Sequence, residues 1–204
     1  MLFRSKPKNY DPSSFNCACD KFCDSPPENI TVWPCDKMLD YGKLPNNYYM
    51  INWPIFGNDY YTNTLELSPK ERNEEYKKAK LFSLSFLYFI QSELGYKNLG
   101  LADDIFMTED NFPLIPYHRE SRRMKGIVQL DINDLTHPFD QEEMLYRTGI
   151  AVGDYPVDHH HRAYPLHNEL PDLHFYPIPS YSVPLGSLIP SNLDNFIEIG
   201  RAHV

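Results

Sequence analysis

Three consecutive histidines follow an aspartate in the second half of the chain, in the stretch Asp158-His159-His160-His161. In an extended backbone, successive side chains point to opposite faces, so His159 and His161 would share one face and His160 would take the other. Neutral imidazole relays protons, binds metal or donates a hydrogen bond to an anionic substrate. At most two of the three can therefore act on one ligand without a turn, and the triplet alone leaves the chemistry open.

The residues before the triplet predict the element that positions it. Ile150, Val152 and their flanking glycines are typical of a short strand. Tyr155-Pro156 then interrupts the ladder, because proline has no backbone N–H to donate. We expect Asp158 and the histidines to follow the end of this strand.

A second group that could bind substrate is rich in arginine. Arg119, Arg122 and Arg123 lie close to Glu120 in the sequence. Planar guanidinium groups bind carboxylate or phosphate through paired N–H donors, but such clusters are also common as structural ion-pair networks. We assign Arg119 and Glu120 to a network and retain Arg122 and Arg123 as candidates for substrate binding. The alternation that follows, over residues 127–132, predicts a strand.

A third candidate combines aromatic and amide side chains. Asn52 and Trp53 end an apolar run that follows a turn signal at Pro45 to Asn47, and Gly57-Asn58-Asp59 closes the run. Rings that stack and amides that hydrogen-bond suit a polar organic ligand such as a sugar. A core strand followed by a turn explains the same residues equally well.

Four cysteines occupy one loop-rich segment, at positions 17, 19, 23 and 35. Their spacing lacks the paired C-x2-C knuckles of a closed zinc site, so no metal site is predicted. Disulfides would require an oxidising compartment. We expect free thiols packed in a loop.

One long helix is indicated by its boundary signals. Ser68 is a good N-cap, Pro69 suits the first helical position, and Glu71 completes a capping box. The helix should run to about Leu94, where Gly95 supplies the stop. Its second half is apolar nearly all round, which predicts burial on several sides and a scaffold role. A shorter helix is predicted near residues 37–41.

Composition excludes some partners. The 204 residues carry a formal net charge of -9, which argues against a nucleic-acid or anionic-membrane surface. No apolar run is long enough for a transmembrane helix. Eighteen prolines and fifteen tyrosines against nine glycines predict a loop-rich, aromatic-rich body rather than a helical bundle. The end stretches, residues 1–5 and 198–204, resemble translated sequencing adapter, so we expect an internal fragment of a longer protein.

Several blocks in order resemble the middle of bacterial FAD-dependent oxidoreductases. The blocks are Tyr117–Gly126 as Y-x-R-E-S-R-R-x-x-G, Gly149–His161, and Val183–Ile197 as P-x-x-S-L-I-P-x-x-x-D-N-F-I. Asn52-Trp53-Pro54 and Gly57-Asn58-Asp59 fit the same family. The resemblance covers roughly residues 38–197 and is more specific than any single motif.

The resemblance implies a glutathione-reductase-like flavoprotein in which a substrate domain is inserted into an FAD-binding α/β domain. The chain has no G-x-G-x-x-G loop. We therefore expect an α+β fragment, with an antiparallel or mixed sheet and one long helix, that holds no FAD alone and is inactive alone. Residues 6–67 would be loop-rich with short strands, and residues 68–197 would be the substrate-side domain.

The resemblance also implies roles for the candidate residues. His159 and His161, with Asp158 as orienter, would face the isoalloxazine and the substrate. Arg122 and Arg123 would be second choices for an anionic or polyhydroxy substrate. The parent protein would oxidise a small or carbohydrate-like organic molecule by hydride transfer to FAD.

Two other classes remain open from the residues alone. A polysaccharide lyase or a carbohydrate-binding protein would also use tyrosine, tryptophan and histidine beside amides and arginine. A histidine-based metalloprotein has less support, because no ligand spacing accompanies the triplet. The oligomeric state and the compartment, bacterial cytoplasm or periplasm, are not determined by the sequence.

Overall fold

The computed structural model describes residues 5–26, 31–53, 56–118, 124–140, 147–158 and 176–198. These residues fall into two compact units that divide between Tyr117 and His118. We call them the N-terminal unit and the C-terminal unit. The structure describes only Ser5 within residues 1–5 and only Glu198 within residues 198–204, the two end stretches that resemble translated adapter.

The N-terminal unit is built on one long helix. Helix α1 spans Cys35–Tyr41 and helix α2 spans Pro69–Ser92. The predicted capping box starts α2, since the Ser68 side chain accepts from the Glu71 N–H and the Glu71 carboxylate accepts from the Ser68 N–H at 2.9 Å. Gly95 ends it with a φ of +81°, and the Tyr96 N–H donates back to the Ile90 carbonyl at 3.2 Å. The predictions for both helices are confirmed.

Aromatic rings from α2 form the core of this unit with an N-terminal loop. The Phe15 ring is 5.1 Å from that of Phe86 and 5.5 Å from that of Phe89, measured between ring centroids. Phe86, Leu87, Phe89, Ile90 and Gln91 are buried, which confirms the predicted burial of the second half of the helix. The sequence predicts a loop-rich segment over residues 6–67 and a domain that starts at residue 68. In the structure, residues from both segments share one core, and the division into compact units falls after Tyr117.

The turn predicted after α1 is present, whereas the strand predicted after it is not assigned. Asn46 and Asn47 both have positive φ, and the backbone bridge Lys43↔Tyr49 closes a tight hairpin around them. Asparagine tolerates this left-handed conformation better than other side-chain-bearing residues. The described residues between Tyr49 and Trp53 add no further ladder to that single bridge.

All four cysteines are paired, which corrects the prediction of free thiols. Disulfides join Cys17 to Cys23 and Cys19 to Cys35, and none of the four cysteines is free. The second disulfide ties the N-terminal loop to the first residue of α1. Sequence spacing could not give this pairing, because connectivity depends on how the loop folds against the helix.

The C-terminal unit contains helix α3 over Ile132–Thr136, strand β1 over Gly149–Gly153 and strand β2 over Tyr181–Pro184. The strand predicted over residues 127–132 is wrong: the backbone bends at residues 127 and 128, forms no strand over residues 129–131, and enters α3 at Ile132. Asp131 is the N-cap of α3, where its carboxylate accepts from the Asn133 N–H at 2.7 Å and the Asp134 carboxylate accepts from the Asp131 N–H at 2.7 Å. This capping box outweighs the apolar alternation that suggested a strand.

The strand predicted at Ile150 and Val152 is confirmed as β1, which pairs antiparallel with β2. The register places Gly153 opposite Tyr181 and Gly149 opposite Pro184, with an irregularity between Gly149 and Ala151. Helices and a two-stranded antiparallel sheet together agree with the predicted α+β class. Among the helices of the described residues, none is long and apolar enough to cross a membrane.

Candidate functional site

The aspartate of the candidate site lies five residues beyond the end of strand β1. Beyond β1, an isolated bridge pairs Val157 with Tyr176, and the Val157 N–H donates to the Tyr176 carbonyl at 3.0 Å. Asp158 is the next residue and the last one described in this stretch. The backbone hydrogen bond between Val157 and Tyr176 therefore fixes the point in the structure from which Asp158 continues.

Several predicted site residues lie outside the described residues. These residues are His159 and His161, which come directly after Asp158, and Arg122 and Arg123. Their predicted roles stay predictions. The structure places Asn52 and Trp53 in the N-terminal unit and Asp158 in the C-terminal unit.

Trp53 is held by polar contacts within the N-terminal unit. Its indole N–H donates to the Ala18 carbonyl, and its backbone N–H donates to the Asn58 Oδ1 at 2.8 Å. The Asn58 side chain also donates to the Ile51 carbonyl at 2.9 Å, so the predicted Gly57-Asn58 turn closes the segment. Both N–H groups of Trp53 are thus used inside the unit, and only its ring remains for stacking on a ligand.

Three aromatic rings meet beside this segment. The Trp33 ring centroid is 5.4 Å from that of Trp53 and 6.0 Å from that of Tyr41, in each case edge to face. The Lys37 ammonium lies 4.0 Å from the centre of a Trp33 ring. A flat platform for a sugar ring needs exposed rings that lie side by side, whereas these rings pack against one another.

Tyr181 is a residue that sequence reasoning did not select. Its ring covers Gly153, where an added Cβ would lie 2.4 Å from the Tyr181 Cζ. Burial raises the pKa of the Tyr181 hydroxyl, and the negative charge of Asp154 raises it further. The hydroxyl therefore stays protonated well above neutral pH. The glycine at the end of β1 was the available sequence signal, because glycine in a strand often marks a close approach.

A metal site is not formed by the described residues that come nearest to one. Cys19, Asp20 and Cys35 bring one ligand atom each within 4.8 Å of the others. Both sulfurs are joined in a disulfide, and a thiolate is the form that binds metal. The group therefore lacks its two soft ligands while the disulfide is intact.

By fold and residues, the chain is an α+β protein in which an aspartate follows a backbone bridge and precedes three histidines in the sequence. Comparison with models of protein families identifies the family. The model described as FAD dependent oxidoreductase matches residues 1–203, and the chain belongs to this family. Neither the curated proteins nor the solved structures include a significant match to the chain.

The match confirms the resemblance seen in the motifs and extends it beyond residues 38–197. FAD is the cofactor that the family uses. The match does not favour the alternative of a polysaccharide lyase or a carbohydrate-binding protein. It leaves the predicted substrate class and the site residues as predictions.

The described residues do not fit the diphosphate of FAD. A dinucleotide cradle needs a strand, a glycine-rich turn and the free N–H groups at the start of a helix. The only long described helix, α2, begins at a capping box in which Ser68 and Glu71 satisfy the first N–H groups. The Glu71 carboxylate would also repel a phosphate at that position. We therefore derive no reaction step through the flavin from these residues.

Proposed function

We propose that this chain is the substrate-side part of an FAD-dependent oxidoreductase that oxidises a small or carbohydrate-like organic molecule, with the flavin as hydride acceptor. The family match over residues 1–203 is the observation that carries the proposal. The placement of Asp158 directly after the Val157–Tyr176 bridge supports the location of the site.

In this proposal, His159 and His161 take the proton that leaves the substrate, and Asp158 orients one of them. Imidazole suits the role because its ordinary pKa lies close to neutral pH. A carboxylate next to a histidine fixes the ring orientation and favours the protonated form that results. Arg122 and Arg123 would bind an anionic or polyhydroxy part of the substrate through paired guanidinium N–H groups.

Asn52 and Trp53 are proposed to contact the substrate through stacking on the indole ring. Their support is narrower, because the N–H groups of Trp53 are bound to Ala18 and Asn58. Trp53→Phe keeps a ring for stacking but removes the donor to Ala18. We expect this variant to lose stability more than substrate affinity, as measured by urea unfolding beside substrate titration.

The proposal is tested on a flavin-loaded, full-length family member that contains this sequence. The protein is mixed without oxygen with neutral polyols, uronates and small hydroxy acids, and the flavin absorbance is followed. Bleaching of the oxidised flavin by at least one of these classes is the expected result. Formation of an unsaturated sugar product with no change in the flavin would support a lyase instead.

A flavin titration tests the statement that the chain alone does not hold FAD. Purified chain is titrated with FAD and the quenching of flavin fluorescence is measured. We expect no saturable quenching. Stoichiometric binding would show that residues of this chain form a cradle, and it would overturn the assignment to the substrate side.

A further inference from the structure

The two disulfides of the N-terminal unit differ in how far a reagent can reach them. Cys19 is 0% exposed and Cys35 is 5% exposed, and both belong to the hydrophobic core. Cys17 and Cys23 are half-buried. Thiol–disulfide exchange requires a thiolate to approach one sulfur directly, so access favours attack on the Cys17–Cys23 bond.

Charge adds to this difference. The Asp20 Oδ1 lies 3.3 Å from the Cys35 sulfur and also accepts from the Cys35 N–H at 3.2 Å. A fixed carboxylate at this distance repels an attacking thiolate and disfavours a departing one. The Cys19–Cys35 bond is therefore protected by charge as well as by burial.

The pocket that reaches Cys35 is also acidic. It has a volume of about 320 Å³, and Asp20, Asp36 and Glu93 line it together with one cation, Lys21. An anionic thiol that enters this pocket would meet more negative than positive charge. The pocket therefore does little to help an anionic thiol reach the Cys35 sulfur.

The loop between Cys17 and Cys23 has backbone hydrogen bonds that do not depend on the disulfide. The Cys17 N–H donates to the Phe22 carbonyl at 2.7 Å, and the Cys23 N–H donates to the Asp20 carbonyl at 3.2 Å. Cys17 also has a φ of +64°, an unfavourable conformation for a residue with a Cβ. The backbone hydrogen bonds would keep the loop closed when the Cys17–Cys23 bond opens.

From these contacts we propose that Cys17–Cys23 is a site of reversible thiol–disulfide exchange, whereas Cys19–Cys35 is a permanent crosslink of the N-terminal unit. The exchange partner is a small thiol or a dithiol protein. Its thiolate attacks one sulfur of the Cys17–Cys23 bond, forms a mixed disulfide and releases the other cysteine as a thiolate. A second thiolate resolves the mixed disulfide. The chain gains two electrons and two protons, and two reductant thiols become one disulfide.

Graded reduction tests the order of opening. The full 204-residue chain is equilibrated with increasing reduced glutathione, quenched in acid, alkylated and mapped by peptide mass spectrometry. We expect Cys17 and Cys23 to be labelled together at a glutathione concentration at least about tenfold lower than Cys19 and Cys35. Labelling of Cys19 and Cys35 first, or of all four cysteines in one step, would overturn the proposal.

The two tryptophans report the structural consequence. They are the only ones in the chain, and both contact the segment around Cys19, since the Asp20 N–H donates to the Trp33 carbonyl at 3.0 Å and Trp53 donates to Ala18. The paired variant Cys17→Ser/Cys23→Ser should keep the tryptophan emission of the parent chain. The matched variant Cys19→Ser/Cys35→Ser should shift the emission toward that of the unfolded chain. Equal emission changes in the two variants would contradict the division of roles.

The Asp20→Asn variant separates charge from burial. It keeps an oxygen that can accept from the Cys35 N–H but removes the negative charge. We expect faster reduction of Cys19–Cys35 by glutathione and no change at Cys17–Cys23. An unchanged reduction rate at Cys19–Cys35 would contradict the claim that the Asp20 charge protects this disulfide.

Discussion

The two units of this chain are stabilised by different means. Among the described residues, and leaving prolines aside, ten of the eleven buried hydrophobic residues lie in the N-terminal unit; the C-terminal unit buries Leu135 and, among its prolines, Pro184. The N-terminal unit also contains both disulfides. The C-terminal unit has a short strand pair in which Ile150 is 53% exposed and Val152 is 76% exposed. Its order rests mainly on backbone pairing.

This difference bears on where a site can adapt to a ligand. A region with few buried apolar contacts opens locally at lower free energy than a packed core. The candidate site at Asp158 follows the strand ladder of the C-terminal unit, whereas the stable aromatic core belongs to the other unit. We infer that the N-terminal unit is the scaffold and that the C-terminal unit carries the adaptable part.

The largest expected effect is the loss of a core ring from the scaffold. Phe86→Ala removes a side chain that is 1% exposed and packs against Phe15 and Phe89, so the N-terminal unit should lose about 3–5 kcal/mol of unfolding free energy. Leu81→Ala on the same helix is the matched control, because Leu81 is 49% exposed; it should change that free energy by about 0.5 kcal/mol. Urea unfolding followed by tryptophan emission measures both. Equal losses would contradict the assignment of the core.

The next largest effect should be a loss of stability that is confined to the C-terminal unit. Gly153→Ala forces a Cβ into the Tyr181 ring, and we expect a cost of about 1–3 kcal/mol at the strand pair. Hydrogen exchange at the Val157 and Leu185 amides, which donate to Tyr176 and Thr148, reports this cost. The double variant Gly153→Ala/Tyr181→Ala removes the clash and should recover part of the protection. A shift in the tryptophan-detected unfolding midpoint instead would show that the units are not stabilised separately.

Two variants that remove a helix N-cap, one in each unit, test the same difference between the units with smaller expected changes in stability. Ser68→Ala removes the N-cap of the packed helix α2 and should destabilise the N-terminal unit by about 1 kcal/mol. Asp131→Ala removes the equivalent cap of the five-residue helix α3. There we expect faster hydrogen exchange at His137, whose N–H donates to the Asn133 carbonyl at 2.8 Å, with no change in the tryptophan-detected midpoint. Equal global losses from both variants would count against the comparison.

The smallest effect is a pH dependence of the scaffold. Hydrogen bonds from Ser68 lower the pKa of Glu71, and hydrogen bonds from Lys78 and then Tyr60 lower the pKa of Glu75. A lowered pKa means that the folded state favours the ionised form. The stabilisation is therefore complete above the ordinary value of 4.5 and is lost as the pH falls below it. Urea midpoints from about pH 6 to about pH 3 should fall, and Glu75→Gln should flatten the curve.

Local signals in the sequence were enough to predict some elements. Ser68, Pro69 and Glu71 determined the start of α2, and Gly95 determined its end, because caps depend on neighbouring residues only. The turn at Asn46 and Asn47 and the strand at Ile150 were predicted for the same reason. Residues 127–132 failed because the Asp131 capping box competes with the apolar alternation. The disulfide pairing failed because Cys19 and Cys35 meet only through tertiary folding.

The candidate site was predictable only as residue types. The Asp158 to His161 pattern allowed proton transfer, metal binding or hydrogen bonding to an anion without deciding among them. The bridge between Val157 and Tyr176 depends on strand pairing across nineteen positions. The close approach of Tyr181 to Gly153 has the same origin. The arginine cluster offered no geometric information at all, because ion-pair networks and anion sites have the same composition.

Flavin reduction in a full-length family member with this sequence tests the central claim most directly. Substrate is mixed without oxygen with the flavin-loaded His159→Ala/His161→Ala variant and with His160→Ala, whose side chain would point to the opposite face. The account predicts that the double variant keeps its flavin and reduces it about 10²–10⁴-fold more slowly, while His160→Ala stays near the parent rate. A double variant that is reduced at the parent rate with its flavin bound would contradict the account.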